Sequence, residues 1–167
     1  IFDADFIPPR DILQNVVNYF TDDKVGMQVQ AHGVADALGL VVEAKHVRPR
    51  ALWRVAAPWG SVDPAERFGA PGGPWSPPWP AVALATGRLS IPYIRALGRT
   101  AGIATYTVVL QDPKTRSRTA DLIWVPEHDH RRGPNVITTL SAPHSYSPDR
   151  LAELRQTLPE PIAALPP

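Results

Sequence analysis

Apolar runs and segments with helical spacing alternate along most of this chain. Runs rich in Val, Ile, Leu and Ala predict strands at residues 40–47, 81–85, 105–110, 122–125 and 136–140. Apolar residues three and four apart predict helices at residues 10–19, 28–38, 91–99 and 148–158. Typical start and stop signals for these helices are Pro8, Pro9, Gly39, Ser147 and Pro148. This alternation predicts an α/β fold, a Rossmann-like, mostly parallel sheet with helices on both faces.

One long segment, residues 48–80, breaks the alternation. It holds eight of the 20 prolines and four of the five tryptophans: Trp53, Trp59, Trp75 and Trp79. Proline interrupts regular backbone hydrogen bonding, while indole rings need apolar surface to bury against. We expect a long loop that lies over the domain and is held there by its tryptophans. The alternative is an exposed aromatic platform for stacking sugars or for docking a protein.

Composition fits one soluble domain. The chain has 167 residues, 44% of them hydrophobic and 20% charged, which is enough for one substantial core and too little for two. A formal charge of +1 argues against nucleic acid as a partner and against strong attraction to anionic lipid. Cysteine is absent, which excludes disulfides and thiolate metal sites. The sequence predicts no membrane span and no signal peptide, while an Ile at position 1 suggests a fragment or a trimmed product.

The densest cluster of ionisable residues follows the predicted strand at 122–125. Six consecutive positions hold Glu127, His128, Asp129, His130, Arg131 and Arg132. Open α/β sheets bind ligands at the carboxyl ends of their strands, so Glu127, His128 and Asp129 are candidates for a general base or a metal pair. His128 and His130 would point to opposite sides of an extended segment, which argues against a shared metal. The alternative is a solvated turn.

Three further positions carry candidate ligand-binding residues. Gly87 and Arg88 stand between a strand and a helix, where backbone amides and a guanidinium can hold phosphate or carboxylate; a plain tight turn is the alternative. Asp112 ends a strand, either as a ligand or as the acceptor of an Asx turn. Asn135 follows Gly-Pro and is suited to hydrogen-bond a sugar hydroxyl or to cap the turn.

Four segments resemble the mitochondrial fission, or elongated-mitochondria, family. They are GMQVQAHGVADALGL at 26–40, ALATGRLSIP at 83–92, TVVLQDP at 107–113 and DLIWVPEHDHRRGPNVITTLSAPH at 121–144. Together they place the resemblance over residues 21–167. It adds four residues to the candidate ligand-binding set: Ser90, Gln111, Arg132 and His144.

This resemblance implies the N-terminal, acceptor-side half of a glycosyltransferase-B fold. The implied activity is sugar-nucleotide-dependent transfer to a cell-envelope acceptor, which this half is not expected to perform alone. The domain would cover residues 28–158, and residues 159–167 would be a Pro-rich linker to a missing second domain. The alternative function is a non-catalytic interaction scaffold, since eukaryotic members are associated with recruiting a dynamin-like GTPase to mitochondria. We expect a cytoplasmic location, peripheral to a membrane.

Residues 1–27 resemble a different family, the processive family-two glycosyltransferases of the cellulose-synthase type. Asp3 and Asp5 form a D-x-D pair whose carboxylates would hold Mn²⁺ or Mg²⁺ with a nucleotide sugar. The rest of that enzyme is missing, so we expect a fusion junction at residues 20–27, and a remnant of a metal-dependent transferase is a further alternative. The two resemblances disagree on residues 15–20, which are helical in one family and the first strand in the other.

Overall fold

The computed structural model describes residues 17–21, 25–39, 42–73, 75–115, 118–144, 146 and 148–156. Within these residues the strands are β1 (Val17–Thr21), β2 (Val42–His46), β3 (Val82–Ala85), β4 (Tyr106–Val109), β5 (Leu122–Pro126) and β6 (Val136–Thr139). The α-helices of the same residues are α1 (Val25–Leu38), α2 (Ala51–Ala56), α3 (Ile91–Ala101) and α4 (Pro148–Gln156). Short 3₁₀ turns lie at Pro64–Glu66, Arg88–Ser90 and Gly102–Ala104.

The strands form one parallel sheet in the order β2-β1-β3-β4-β5-β6. This confirms the predicted α/β, Rossmann-like fold. From β1 the chain first adds β2 on one side, then returns to place β3 on the other side of β1. Crossovers that leave in opposite directions open a crevice at the carboxyl ends of β1 and β3, and α/β proteins bind their ligands in such crevices.

The side chains of β3 alternate between the two faces of the sheet. Ala83 and Ala85 pack into the core that α3 covers, and both are fully buried. Leu84 packs on the other face with Ala31 and Val34 of α1. Helices therefore cover both faces of the sheet at β3, as the predicted fold requires.

Loops and polar contacts hold the β5–β6 end of the sheet. The connections from β4 to β5 and from β5 to β6 contain no helix in their described residues. The backbone N and Oγ1 of Thr107 instead donate to Asp121 Oδ2 at 2.9 and 2.7 Å. The Asn135 side chain donates to the Ala120 carbonyl at 2.9 Å. These bonds align neighbouring strands near their amino ends.

The predicted helix at residues 10–19 is wrong for its last three residues, because they lie in β1. β1 is an interior strand with parallel partners on both sides, β2 and β3. Val17, Tyr19 and Phe20 favour strand, and the two neighbouring strands supply backbone hydrogen bonds. The alternative expectation of a strand in this segment is confirmed from Val17, and residues 10–16 lie outside the described ranges.

The Pro- and Trp-rich segment 48–80 lies over the α3 face of the sheet. Trp75 is 5% exposed in the core there, and Phe68 stacks against Trp75 and Trp79 with ring centroids 6.3 and 5.9 Å apart. Trp75 also packs against Tyr93, with centroids 5.0 Å apart. The expected packing is therefore confirmed for Trp75 and Trp79, whereas Trp59 is 68% exposed. The segment also contains α2 and a 3₁₀ turn, which its proline content did not predict.

Candidate functional site

The chain leaves β3 through a tight turn beside the crevice between β1 and β3. Gly87 adopts φ 84° and ψ 155°, a backbone conformation that residues other than glycine rarely adopt. The 3₁₀ turn Arg88–Ser90 follows and leads directly into α3. The glycine therefore has a conformational reason to stand here.

Thr86, immediately before this glycine, is fully buried. Its Oγ1 has no hydrogen-bond partner among the described residues. Continuing the alternation of β3, Thr86 follows Leu84 on the face that α1 covers. Gln30 of α1 likewise has a buried side-chain oxygen, Oε1, without a partner in the described ranges. Buried polar atoms are nearly always hydrogen-bonded, so such atoms indicate a place for a ligand or a water molecule.

Two of the predicted ligand-binding residues stabilise the turn itself. The Ser90 hydroxyl is buried. It lies within hydrogen-bond distance of two carbonyl acceptors, that of Thr86 at 2.8 Å and that of Gly87 at 2.7 Å. The Arg88 guanidinium donates to the Ala57 carbonyl at the end of α2. Ser90 and Arg88 therefore hold the turn and the overlying segment in place.

The end of β4 carries a charged cluster. Asp112 accepts hydrogen bonds from the backbone N and Nζ of Lys114 at 2.9 and 2.8 Å, and Arg131 Nη1 lies 3.8 Å from its carboxylate. Partial burial acts to raise the pKa of Asp112, but the hydrogen bonds from Lys114 and the nearby cations outweigh it and hold that pKa below its usual value. The backbone bond is that of an Asx turn, the alternative that the sequence offered. Gln111 is half-buried beside it.

The turn after β5 carries the predicted catalytic residues. Glu127 and His128 are exposed, and Asp129 is half-buried. Arg132 donates to the Glu127 carbonyl at 3.1 Å and to the carbonyl of its preceding residue at 2.7 Å, which braces the turn. Arg131 reaches the loop after β4 and donates to the Thr115 carbonyl at 2.5 Å. The structure therefore brings these residues to the same edge of the sheet as Asp112.

Two other predicted ligand-binding residues, Asn135 and His144, lie away from this cluster of charged side chains. Asn135 directly precedes β6 and donates to the carbonyl of Ala120, two residues before the start of β5, so it lies at the amino edge of the sheet, opposite the crevice. His144 follows β6, is exposed, and accepts a hydrogen bond from the Tyr146 backbone N at 3.3 Å. The structure does not bring Asn135 together with Gly87.

No group of three or more His, Asp or Glu side chains able to hold a metal ion occurs in the residues that the structure describes. Asp3 and Asp5, the predicted Mn²⁺ or Mg²⁺ ligands, lie outside those residues. None of the helices in the described ranges is long and apolar enough to cross a membrane.

Thr86 and Arg131 are candidate functional residues that the sequence analysis did not single out. The sequence did contain a signal for Thr86. This hydroxyl follows the apolar run Val82–Ala85 and precedes a turn glycine, which places a polar group at the edge of the core. Arg131 was named only as part of the ionisable cluster at 127–132, and no local signal distinguishes it there, since its role depends on contacts with Asp112 and Thr115 in a different loop.

A comparison with protein-family models finds one match, to the family described as Mitochondrial fission ELM1, over residues 25–167. No curated protein and no solved structure matches the chain. The matched range includes β2 to β6 and all four helices of the described residues, and it contains the crevice turn at Gly87 and the charged loops after β4 and β5.

Proposed function

Because the chain belongs to the mitochondrial fission ELM1 family, we propose that its domain is the acceptor-side half of a glycosyltransferase-B-like protein. Its ancestral activity in this proposal is glycosyl transfer from a sugar nucleotide to a cell-envelope acceptor. One observation carries the proposal. A glycine turn at Gly87 borders the crevice between β1 and β3, and the hydroxyl of the adjoining Thr86 is buried beneath it without a partner in the described part of the chain.

The chemistry of this crevice suits a polyhydroxyl ligand. A threonine hydroxyl can donate one hydrogen bond and accept others, as a sugar hydroxyl does. The turn at Gly87 leads directly to the amino end of α3, and the positive end of a helix dipole favours phosphate oxygens. Asp112 and Glu127 follow β4 and β5, one and two strands from β3, or about 5 and 10 Å along the sheet. Glu127 and Asp129 are then the candidate general bases for an acceptor hydroxyl, with His128 beside them.

Calorimetric and thermal-shift titrations with UDP- and GDP-sugars, with and without Mn²⁺, test this proposal. We expect metal-independent binding of a sugar nucleotide or of a member of a glycan acceptor series, and this binding should weaken in Thr86→Val, since the valine keeps the shape of threonine and lacks its hydroxyl. Binding that requires Mn²⁺ and disappears in Asp3→Ala/Asp5→Ala would favour the metal-dependent family-two alternative. Absence of binding to every sugar nucleotide and to a glycan acceptor series would contradict the proposal.

A second candidate function, a non-catalytic interaction scaffold, is favoured by an exposed apolar surface on and after α2. Leu52, Val55 and Trp59 are 68%, 77% and 68% exposed. Leu52 and Val55 are three residues apart on α2 and therefore lie on one side of the helix, and Trp59 follows in the turn after it. A protein partner would bury them. Co-sedimentation with a purified dynamin-like GTPase, repeated with Leu52→Lys/Val55→Lys, tests the scaffold: binding should occur and be lost in the double variant. Equal binding by both proteins would rule out this surface.

A further inference from the structure

A cavity of about 730 Å³ opens beside the carboxyl end of β2, away from the residues that the sequence analysis selected. Lys45 and His46, the last two residues of β2, line one side, and the loop that contains Arg67 and Gly72–Gly73 lines the other. Arg48 completes the rim. The volume is in the range of small-molecule sites in proteins.

Cations predominate among the residues that line this cavity. Lys45, Arg48 and Arg67 carry positive charge, against one carboxylate, Glu66. The Glu66 carboxylate accepts a hydrogen bond from the Tyr93 hydroxyl at 2.7 Å, so part of its capacity to accept hydrogen bonds from these cations is already used. Lys45 is paired with Glu43, which lies outside the cavity lining and is itself 52% exposed. A concave surface with this excess of positive charge raises the local concentration of anions.

Arg67 stands in a conformation that arginine rarely adopts. Its φ of 49° and ψ of 47° lie in the left-handed region, where a non-glycine residue is strained. Its guanidinium forms no hydrogen bond or ion pair with the residues that the structure describes. Arg67 thus combines a strained backbone in a cavity wall with a charge that forms no hydrogen bond or ion pair with other described residues. This combination indicates a binding role.

The surrounding contacts fix this conformation. Asp63, directly before the 3₁₀ turn Pro64–Glu66, accepts from Arg50 Nε and Nη2 at 2.8 and 2.7 Å and from the backbone N of Ala65 at 2.9 Å. The Arg67 backbone N then donates to the Pro64 carbonyl at 3.2 Å. The Arg67 backbone is therefore held at the cavity rim before any ligand arrives, so only its side chain has to be ordered on binding.

We propose that this cavity is an anion site that binds the phosphate or diphosphate group of a ligand through Arg67, Lys45 and Arg48. Guanidinium groups match phosphate oxygens in geometry and charge, and an ammonium group adds a point charge. The site is separate from the Thr86–Gly87 crevice, because β1 lies between β2 and β3. It does not depend on the glycosyl-transfer proposal. The phosphate could belong to a soluble diphosphate or to a lipid headgroup.

Titration of the whole chain with inorganic pyrophosphate, followed by amide chemical shifts, tests this site. We expect the largest shifts at Gly72 and Gly73. Affinity should fall by about tenfold or more in Arg67→Asn and in Lys45→Gln, because each loses a charge-assisted contact. Asn tolerates the left-handed conformation, so Arg67→Asn should melt at or above the temperature of the unchanged chain. Arg99→Gln, which removes an exposed charge near the end of α3, is the matched control and should bind as before.

A second arm distinguishes the two sources of phosphate. Phosphatidylcholine vesicles containing phosphatidic acid are compared with phosphatidylcholine vesicles alone, for the unchanged chain and for Arg67→Asn. Arg67-dependent binding only to the phosphatidic acid vesicles, without a response to pyrophosphate, would assign the site to a lipid headgroup. Equal loss of binding in Arg99→Gln would show a diffuse charge effect and overturn the proposal. A lack of binding to both pyrophosphate and vesicles would overturn it as well.

Discussion

The Asp63 carboxylate and the Arg50 guanidinium form a two-pronged pair, with oxygen–nitrogen distances of 2.8 and 2.7 Å. The Asp63 side chain is 1% exposed, and it also accepts from the backbone N of Arg50 at 3.0 Å. Arg50 lies 4.6 Å from the ring centroid of Trp53. The two residues are thirteen positions apart, so the pair joins the start of α2 to the 3₁₀ turn Pro64–Glu66. Ala65 and Glu66 of that turn line the cavity beside β2.

Asp63→Asn should lower stability in a pH-dependent way. The hydrogen bond from Arg50 holds the pKa of Asp63 well below its usual range, against the effect of burial. A depressed folded-state pKa contributes stability that is fully present above the unfolded-state pKa, about 4, and is lost as pH falls through the folded-state pKa. Melting temperatures from pH 7 to pH 3 should therefore show Asp63→Asn below the unchanged chain at pH 7, with a gap that narrows below about pH 4. A gap that stays constant would contradict this.

Thr86→Val should stabilise the protein. The Thr86 hydroxyl is buried without a partner among the described residues, and removing such a group can recover up to about 1–3 kcal/mol. Thr107→Val is the matched control, since the Thr107 hydroxyl is hydrogen-bonded both as donor and as acceptor: it donates to Asp121 Oδ2 at 2.7 Å and accepts from the backbone N of Asp121 at 3.0 Å. The control should lose about 1–3 kcal/mol. Urea unfolding at pH 7 measures both changes, and a similar loss in the two variants would mean that Thr86 has a structural partner.

Lysine substitutions on α2 should be nearly neutral for folding. Leu52 is 68% and Val55 77% exposed, so Leu52→Lys and Val55→Lys should each change the free energy of unfolding by less than about 0.5 kcal/mol. Ile94 is fully buried against the sheet, and Ile94→Ala should cost about 2–5 kcal/mol. The comparison uses the same urea unfolding. A loss in Leu52→Lys as large as in Ile94→Ala would show that this surface is covered in the folded protein.

Ionisation of Tyr93 should make the unchanged chain less stable at alkaline pH, and Tyr93→Phe should remove this contribution. Burial, and then the hydrogen bond to Glu66, raise the pKa of Tyr93. A raised folded-state pKa contributes stability that is present below the unfolded-state pKa, about 10, and is lost as pH rises above it. The variant should lose about 1–2 kcal/mol at pH 8, where the hydrogen bond to Glu66 is missing. Melting curves at pH 8 and pH 11 check this, and parallel declines in both proteins would contradict it.

Sequence patterns predicted most of the fold because its sheet is assembled from continuous apolar runs. β3 is an uninterrupted apolar run, β4 is a mainly apolar run that contains Thr107, and α3 has its apolar residues at helical spacing. β1 was ambiguous because its residues favour strand while the proline-initiated pattern before them favours helix. Only the two neighbouring strands, which are distant in sequence, decide the outcome.

The candidate site was less predictable, for reasons that individual residues show. Gly87 was found because a turn between strand and helix has a local signature. Asn135 was a candidate ligand-binding residue, but the connection from β5 to β6 carries the chain back to the amino edge within nine residues, from Glu127 to Asn135. The left-handed Arg67 has no sequence signature at all, since its conformation results from the contacts of Asp63 and Arg50.

The central claim is that the crevice between β1 and β3 binds a sugar nucleotide or its acceptor at Thr86 and Gly87. Amide chemical-shift mapping of the whole chain during titration with UDP- and GDP-sugars and a glycan acceptor tests it most directly. The account predicts that one of these ligands shifts the amides of residues 86–88 and of Gln111 first, and that Thr86→Val weakens the binding that causes these shifts while raising the melting temperature. Shifts confined to other parts of the chain, or unchanged in Thr86→Val, would contradict it.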